Sequence, residues 1–253
     1  MRLEEIIKGI STIQLLYLSD SYLRDFQAVT ITIQPEGKNN AYLVLNRTTF
    51  HPKAGGQPSD TGFITSPNFR IEVKKAILVD GVVVHYGKII EGKPGTTSNE
   101  RVKGEIQWNP RYKYMKRHTA AHLLDHCLTT IIGKPVETTD SWLGDQCYIG
   151  YNGDAPTNDH LREAEVIANQ MITRGGNVNI ENVSQEELLK RAPNAPNIYR
   201  LPHLEEYRIV TIQGCNPIPC AGTHLRDLKE IGQFTAIRLE KLASSFRVYY
   251  DIK

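Results

Sequence analysis

His118-Thr119-Ala120-Ala121-His122 is the stretch around which the chain is organised. Successive helical residues turn by roughly 100°, so two histidines four residues apart point to the same side of a helix. A distant stretch, Cys220-Ala221-Gly222-Thr223-His224, places a cysteine and a third histidine at the same spacing. Zinc accepts imidazole nitrogen and thiolate sulfur. Together the two stretches predict one zinc ion (Zn2+) per chain, bound by His118, His122, Cys220 and His224.

A long helix is predicted around the first histidine pair. Asn109 and Pro110 suit its first two positions, and Gly133 ends it after Ile132. Its predicted core stripe consists of Ala121, Leu124, Cys127, Leu128 and Ile131. The histidines lie beside this stripe, at the edge of the buried face, where a metal site that lines a cleft belongs. His126 is predicted to lie behind the ligands or in solvent, with substitution as a ligand as the alternative.

The residues before this helix predict a small β-barrel. Residues 1–24 indicate a helix or an arm, and from Gln27 apolar residues alternate with polar ones, as in strands. The predicted strands cover residues 29–33, 42–45, 69–73, 76–79, 82–86 and 102–108. We therefore expect an N-terminal β-barrel domain over residues 1–108. Residues 109–253 mix helices and strands without regular alternation, which predicts an α+β domain with the zinc site.

A glycine-rich segment, FHPKAGGQPSDTG, occupies residues 50–62 inside the predicted barrel domain. Its composition suits an ordinary turn between strands, because Gly-Gly and Pro-Ser-Asp are turn residues. It also suits a loop whose backbone approaches a ligand closely, since glycine permits that approach. Composition alone favours the ordinary turn.

The start of the long helix is basic and aromatic. Arg111, Lys113, Lys116 and Arg117 alternate with tyrosines. Positive charge at a helix N-terminus opposes the helix dipole, so these side chains gain nothing from that position. They could hold phosphates while the tyrosines stack on bases, or they could form an ordinary solvated first turn.

Composition limits the class of protein. The chain has 253 residues, of which 40% are hydrophobic and 23% charged, so it can bury a core. A formal net charge of +2 neither supports nor excludes nucleic acid as a partner. Four cysteines lack the paired spacing of a secreted disulfide scaffold, and a reducing cytoplasm would keep Cys220 available as a ligand. We expect a cytoplasmic protein without signal peptide or membrane span.

Three motifs resemble those of the AlaX family, the freestanding relatives of the alanyl-tRNA synthetase editing domain. They are the glycine-rich residues 50–62, RHTAAH at residues 117–122, and CAGTH at residues 220–224 followed by Glu230-Ile231-Gly232. The resemblance implies a β-barrel followed by an α+β editing domain, and His118, His122, Cys220 and His224 as zinc ligands. It implies a tRNA for alanine mischarged with serine or glycine as the partner. The implied activity is hydrolysis of that ester while the alanyl ester is spared.

The resemblance also implies substrate contacts. The loop over the editing site would include Gly55, Gly56, Gln57 and Asp60, and the region that distinguishes serine would include Thr138 and Thr139. Arg111, Lys113, Lys116 and Arg117 are the candidates for contact with the tRNA backbone. His51, Ala54 and Ala221 depart from residues that are common in the family, which leaves the detailed contacts of the loop open. No obligate protein partner is implied.

The mechanism stays open at this point. Four protein ligands leave zinc no vacant position of the usual catalytic kind, so the ion would either organise the site or activate water. No HExxH motif is present to supply a metalloprotease base, and no catalytic residue beyond the zinc site is predicted. The alternatives are a different zinc hydrolase for a small ester or amide, and a tRNA-binding module with structural zinc.

Overall fold

The structure, a computed structural model, describes residues 2–95 and 99–253 and contains two compact units. The first unit comprises Met1–Ala54 and Pro58–Lys113, and the second comprises Gly55–Gln57 and Tyr114–Lys253. The long helix therefore begins in the first unit and continues into the second. None of the helices within the described ranges combines the length and apolarity that crossing a membrane requires.

The first unit contains a closed six-stranded antiparallel barrel. Its strands are β2 (Asp25–Glu36), β3 (Asn40–Leu45), β5 (Gly62–Thr65), β6 (Phe69–Val79), β7 (Val82–Gly92) and β8 (Arg101–Ile106). They follow the order β2-β3-β7-β6-β5-β8 around the barrel. The predicted barrel is confirmed, and the mixture of barrel, helices and further sheets is an α+β fold. Strand β5 was not predicted.

Two predicted strands of this barrel are wrong as separate elements. Residues 69–73 and 76–79 belong to the continuous strand β6, whose register shifts between Val73 and Lys75. Lys74 and Lys75 are both exposed, so the alternation of buried and exposed residues breaks at the bulge. The strand predicted over residues 102–108 instead ends at Ile106, because Trp108 already belongs to the next helix.

The N-terminal segment is divided into short elements. Helix α1 (Leu3–Ile6) precedes strand β1 (Gln14–Leu15), which pairs in parallel with β4 (Arg47–Thr48), and helix α2 (Leu16–Ser19) follows. Residues 2–24 thus form no single helix. Their apolar side chains pack on the barrel core, in which Ile6, Ile7 and Ile13 are buried.

A buried histidine lies inside the barrel. The His85 ring contacts the Thr48 hydroxyl through Nε2 at 2.8 Å and the Leu43 carbonyl through Nδ1 at 3.2 Å. Burial lowers the pKa of His85 to about 4, with the Leu43 carbonyl opposing that shift. His85 is therefore neutral at physiological pH and completes the core by satisfying Thr48 and Leu43.

Helix α3 (Trp108–Ile132) is the longest element of the chain. It starts one residue before the predicted Asn109 and ends at Ile132 as predicted. Gly133 follows with φ +73°, and its N–H donates to the Thr129 carbonyl at 3.0 Å. The predicted stripe is confirmed for its fully buried members Ala121, Leu124, Cys127 and Leu128, whereas Ile131 is partly exposed.

The second unit contains two sheets and two further helices. The four-stranded sheet has the order β14-β15-β10-β9, and the three-stranded sheet has the order β11-β12-β13. The strands are β9 (Thr138–Trp142), β10 (Tyr148–Asn152), β11 (Val178–Val183), β12 (Tyr207–Ile212), β13 (Ile218–Pro219), β14 (Phe234–Lys241) and β15 (Ser245–Ile252). The helices are α4 (Asn158–Arg174) and α5 (Gln185–Arg191), with 3-10 turns at Ile198–Arg200 and Leu228–Ile231.

Side-chain caps fix where these helices begin. The Thr157 hydroxyl accepts from the His160 N–H at the start of α4, and the Ser184 hydroxyl accepts from the Glu187 N–H at the start of α5. Each cap satisfies one of the backbone donors that a helix N-terminus leaves unpaired.

Candidate metal centre

Helix α3 presents His118 and His122 on one side, one turn apart. Both side chains are buried, and their ring centroids lie 5.2 Å apart in an edge-to-face arrangement. Their spacing of four residues makes them neighbours on the helix surface. The helix therefore supplies two imidazoles with a fixed separation.

The loop after β13 supplies the other pair. Cys220 and His224 lie in this loop, and the His224 ring centroid is 4.3 Å from that of His118 and 4.6 Å from that of His122. Gly222 lies against the His118 ring, and an added Cβ would collide with that ring. The loop can approach the helix this closely because residue 222 has no side chain.

The four predicted ligands form one cluster. Their ligand atoms all lie within 4.8 Å of one another. The Cys220 sulfur is 3.4 Å from Nε2 of His118 and 3.3 Å from Nε2 of His224. Three imidazoles and one thiol at these distances could hold a metal ion. His126, the alternative ligand, is not a member of this cluster among the residues that the structure describes.

Gln57 orients the His118 ring. Its side-chain oxygen lies 3.0 Å from Nδ1 of His118 and accepts from the Thr223 N–H at 3.2 Å. Its amide nitrogen donates to the Thr223 hydroxyl at 2.8 Å, and the whole side chain is buried. Since a carboxamide oxygen only accepts, Nδ1 of His118 carries the proton and Nε2 directs its lone pair into the cluster.

Thr119 contacts the His224 ring on the side away from Cys220. Its hydroxyl lies 3.3 Å from Nδ1 of His224 and accepts from the Leu225 N–H at 3.1 Å. A proton on Nδ1 leaves Nε2 of His224 free to face Cys220. Thr119 and Thr223 were not predicted as site residues. Their signal was their position inside the two motifs, directly beside His118 and His224.

The pKa values of His122 and Cys220 are shifted by burial towards their neutral forms. Burial lowers the pKa of His122 to about 3, assisted by the charge of Arg208. Its buried Nδ1 has no hydrogen-bond partner among the residues described. Burial also raises the pKa of the Cys220 thiol, although the Gly222 N–H donates to its sulfur at 3.3 Å and lowers it. The imidazole is neutral, whereas the thiolate requires a nearby cation.

A buried carboxyl lies one turn beyond His122. The Tyr151 hydroxyl donates to Asp125 at 2.7 Å. Burial raises the pKa of Asp125 to about 7, and the hydrogen bond from Tyr151 lowers it. Asp125 can therefore exchange a proton near neutral pH. Its environment is a tertiary property that the sequence did not indicate.

The glycine pair of the glycine-rich segment runs along strand β9. Gly55 accepts from the Ser141 hydroxyl at 3.2 Å, and the Gly56 carbonyl accepts from the Leu143 N–H at 2.9 Å. Gly56 has φ +77°, and a Cβ there would collide with the backbone of Ser141. Position 56 therefore needs glycine, and the turn places Gln57 on the His118 ring.

Asp60 and Arg111 form a buried ion pair in the first unit. The Arg111 guanidinium donates to both carboxylate oxygens of Asp60 and to the carbonyls of Ser21 and Thr49. Its side chain has no solvent exposure. The proposed contact of Arg111 with tRNA phosphates is therefore wrong, because the charge is enclosed and already neutralised. Asp60 is likewise committed to Arg111 and to the His51 N–H.

The remaining predicted residues are placed as follows. Arg117 is buried and donates to the carbonyls of Leu143 and Gly144 and to Asp251, whereas Lys113 is exposed and Lys116 partly exposed. Thr138 and Thr139 are partly exposed on β9. The Thr138 hydroxyl accepts from Arg200 at 2.9 Å, and the Thr139 hydroxyl donates to Asp140 at 2.9 Å.

The sequence of the chain is similar to those of several known proteins. Residues 22–110 match the family model described as tRNA synthetases class II (A). The chain is 32% identical to the alanyl-tRNA editing protein AlaX-M of Methanosarcina acetivorans, over 94% of this chain and 98% of the relative. It is 33% identical to AlaX-M of Methanosarcina mazei, over 94% and 95%. It is 32% identical to AlaX-L of Pyrococcus horikoshii, over 90% of this chain and 55% of the relative.

Proposed function

Because the chain belongs to the AlaX family of alanyl-tRNA editing proteins, we propose that it is a hydrolase acting on mischarged tRNA for alanine. The proposed reaction cleaves the seryl ester, and also the glycyl ester, while it spares the alanyl ester. Water is consumed, and free amino acid and uncharged tRNA are released.

The observation that carries this proposal is the cluster of the buried His118, His122 and His224 with the partly buried Cys220, whose ligand atoms all lie within 4.8 Å of one another. We propose that it holds one zinc ion. Three nitrogen donors and one sulfur donor suit zinc, and the buried Nδ1 of His122 without a hydrogen bond is an unsatisfied polar atom that a cation or substrate group would satisfy.

A zinc ion held by these four donors would organise the site, and it would supply Lewis acidity towards an ester carbonyl on expanding its coordination or losing a ligand. The chain's own residues supply the geometry. Gln57 fixes the tautomer of His118, and Thr119 contacts Nδ1 of His224, which leaves the Nε2 atom of each ring towards the cluster. Burial of the cluster lowers the local dielectric, which strengthens any interaction with charge that develops on the ester.

Of the two threonines proposed to read the serine hydroxyl, Thr138 is the better candidate. It stands opposite Tyr151 in the strand register, and the Tyr151 hydroxyl reaches Asp125 on the helix that carries His118 and His122. Residues directly opposite each other in a sheet share a face. A site that hydrogen-bonds the substrate hydroxyl rejects an analogue without it, because its own polar group would remain unpaired.

The substitutions Thr138→Val and Thr139→Val test this assignment as a matched pair. We expect Thr138→Val to lower kcat/KM for the seryl ester about tenfold relative to the glycyl ester, the amount of one hydrogen bond. Thr139→Val serves as the control on the neighbouring residue. Equal losses on both esters in Thr138→Val would contradict a role in reading the hydroxyl.

Contact with the tRNA backbone is proposed for Lys113, which is exposed, and for Lys116, which is partly exposed. Arg117 is not proposed to contact tRNA, because its buried guanidinium donates to the carbonyls of Leu143 and Gly144. Replacing each lysine by glutamine should weaken tRNA binding and reduce its salt dependence by about one unit of slope. An unchanged dependence of tRNA affinity on salt concentration would show that these lysines do not contact the tRNA backbone.

The decisive experiment measures amino acid release from Ser-tRNA and Ala-tRNA for alanine. Wild type is compared with Cys220→Ala, and Cys215→Ala serves as the control, because Cys215 is another free cysteine outside the cluster. We expect rapid release of serine, little release of alanine, and loss of the reaction in Cys220→Ala only.

Other results would favour the alternatives. No release from either tRNA by folded, zinc-loaded protein that still binds tRNA would favour a binding module with structural zinc. Release of both amino acids, or cleavage of small acyl esters in preference to tRNA, would favour a different zinc hydrolase. Equal activity of Cys220→Ala and wild type would refute the proposed role of the cluster.

A further inference from the structure

A row of arginine and aromatic side chains crosses the solvent-facing side of the four-stranded sheet. Arg238 on β14 stands opposite Tyr249 on β15, Tyr249 stands opposite Tyr148 on β10, and Tyr148 stands opposite Trp142 on β9. The alternate residues of β15 are buried, namely Phe246, Val248 and Tyr250. Since successive side chains of a strand point to opposite faces, the row lies on the face away from the core.

The two tyrosines of this row have guanidinium groups over their rings, and their hydroxyls donate to carboxylates, Tyr148 to Asp140 and Tyr249 to Glu240. The guanidinium carbon of Arg238 lies 3.6 Å above the Tyr249 ring, and that of Arg247 lies 4.6 Å above the Tyr148 ring. The Tyr148 hydroxyl donates to Asp140 at 2.9 Å. Each of these two rings therefore carries a guanidinium group over its face.

The row continues along the edge of β9 towards the metal loop. Arg200 donates to the Thr139 carbonyl at 2.7 Å, and the Pro196 carbonyl accepts from the Thr138 N–H at 3.3 Å. Asn197 donates to the carbonyl of Pro219, the residue before Cys220, at 2.8 Å. The turn at Ile198–Arg200 is therefore anchored both to the sheet and beside the proposed zinc ligands.

Tyr199 lies in this anchored turn, and its side chain is exposed to solvent. Its relative exposure is 92%, the highest of the exposed large hydrophobic residues in the described part of the chain. A large aromatic ring gains nothing from the fold at such exposure, whereas it offers both of its faces to a ligand. The anchored turn fixes the backbone that carries this ring beside the metal loop.

Charge favours a polyanion over an apolar partner on this surface. The surface carries three positive charges, on Arg200, Arg238 and Arg247, and two negative charges, on Asp140 and Glu240. Each carboxylate fixes a tyrosine hydroxyl and an arginine. Arg238 keeps a side-chain exposure of 51%. RNA fits such a surface, because bases stack on aromatic rings and on guanidinium planes while arginine binds phosphates.

We propose that this surface binds the acceptor end of the tRNA substrate. We name it the Arg/Tyr track, and it consists of Tyr148, Tyr199, Arg200, Arg238, Arg247 and Tyr249. Tyr199 stacks with an unpaired nucleotide at the 3′ end, beside the metal loop. Arg238, at the other end, contacts a phosphate of the acceptor stem. This proposal rests on the function proposed above, because it assigns a binding surface to the same substrate.

The test measures binding of uncharged, fluorescently labelled tRNA for alanine by anisotropy at several salt concentrations. A second probe is the same tRNA without its unpaired 3′ nucleotides. The variants are Tyr199→Ser and Arg238→Gln, both at exposed side chains. The matched control is Arg162→Gln, since Arg162 is an arginine of α4 with 78% side-chain exposure and a comparable ion pair, to Asp159. Thermal unfolding verifies that each variant is folded.

We expect Tyr199→Ser to weaken binding of the complete tRNA about tenfold and to leave binding of the shortened tRNA unchanged. Arg238→Gln should weaken binding of both tRNAs and reduce the salt slope by about one. Arg162→Gln should bind like wild type.

If the folded variants bind both tRNAs like wild type, while wild type binds tRNA and releases serine, the Arg/Tyr track is refuted and the proposed function stands. If wild type neither binds tRNA nor releases serine, the proposed function fails, and the track as a tRNA site fails with it. A loss of equal size in Arg162→Gln would also refute the track, because the effect would then depend on general charge.

Discussion

Replacing Gln57 by leucine should loosen the metal site without touching a ligand. The Gln57 side chain makes three buried hydrogen bonds, to His118 Nδ1 at 3.0 Å, to the Thr223 N–H at 3.2 Å and to the Thr223 hydroxyl at 2.8 Å. Leucine has similar volume and makes none of them. The His118 ring would lose the acceptor that fixes its tautomer, and the buried Thr223 N–H would lose its partner.

The size of the effect follows from these contacts. Removing the partner that orients a ligating histidine costs about 10–100-fold in metal affinity. A buried backbone donor left without a partner costs about 1–3 kcal/mol of stability. We therefore expect the zinc Kd of Gln57→Leu to rise about 10–100-fold. We also expect the free energy of unfolding of the zinc-free protein to fall by about 1–3 kcal/mol.

The assay is competition for zinc against a chromophoric chelator, together with urea unfolding of the zinc-free protein. Gln57→Glu keeps an oxygen acceptor for His118 and Thr223, so its affinity should fall less than that of Gln57→Leu. Gln107→Leu is the control, since the Gln107 side chain accepts from Thr61 in an exposed position of the barrel unit. Equal zinc affinity in Gln57→Leu and wild type would refute the assignment of Gln57 as a positioning residue.

Three further predictions concern stability and the metal. Arg111→Leu should lower the free energy of unfolding by about 3–5 kcal/mol, because it leaves the buried Asp60 carboxyl without its counter-charge; a decrease of less than about 1 kcal/mol in urea unfolding would contradict this. The pKa of His85 is about 4 in the folded protein, below its unfolded value of about 6.5. Its contribution to the free energy of unfolding is therefore complete above pH 6.5 and falls by about 3 kcal/mol in total as the pH drops towards 4. His85→Asn should flatten the dependence of unfolding free energy on pH in that window, and an unaltered slope would speak against it. Chelation of zinc should abolish serine release, and circular dichroism should show retained barrel structure; unfolding of the whole chain would identify the metal as the basis of the fold.

The ligand set could be predicted because it is a local pattern repeated at two positions. Each pair has a spacing of four residues, and imidazole and thiolate are the side chains that zinc prefers. The end of α3 could be predicted for the same reason, since Gly133 acts on the residues directly before it. Each pair and the helix end depend on neighbours in the chain, whereas the meeting of the two pairs is a tertiary contact.

What could not be predicted depends on residues far apart in sequence. Strand β5 has four residues and pairs with β6 and β8, so nothing in its own short sequence fixes its partners. Arg111 and Asp60 are 51 positions apart, and a basic residue at a helix start gives no sign that its charge turns inward. Likewise, Gln57 and His118 are 61 positions apart, so the contact by which Gln57 orients the His118 ring could not be predicted from the sequence.

The two halves of the metal cluster also have a consequence for the order of folding. His118 and Cys220 are separated by 102 positions, so an ion that joins them closes a loop of that length. Closing a long loop costs conformational entropy, which local helix formation in α3 does not have to overcome. During synthesis the chain therefore offers only two imidazoles until residues 220–224 have left the ribosome. Binding of an ion by all four residues would therefore require synthesis through His224, before strands β14 and β15 of the second unit are made.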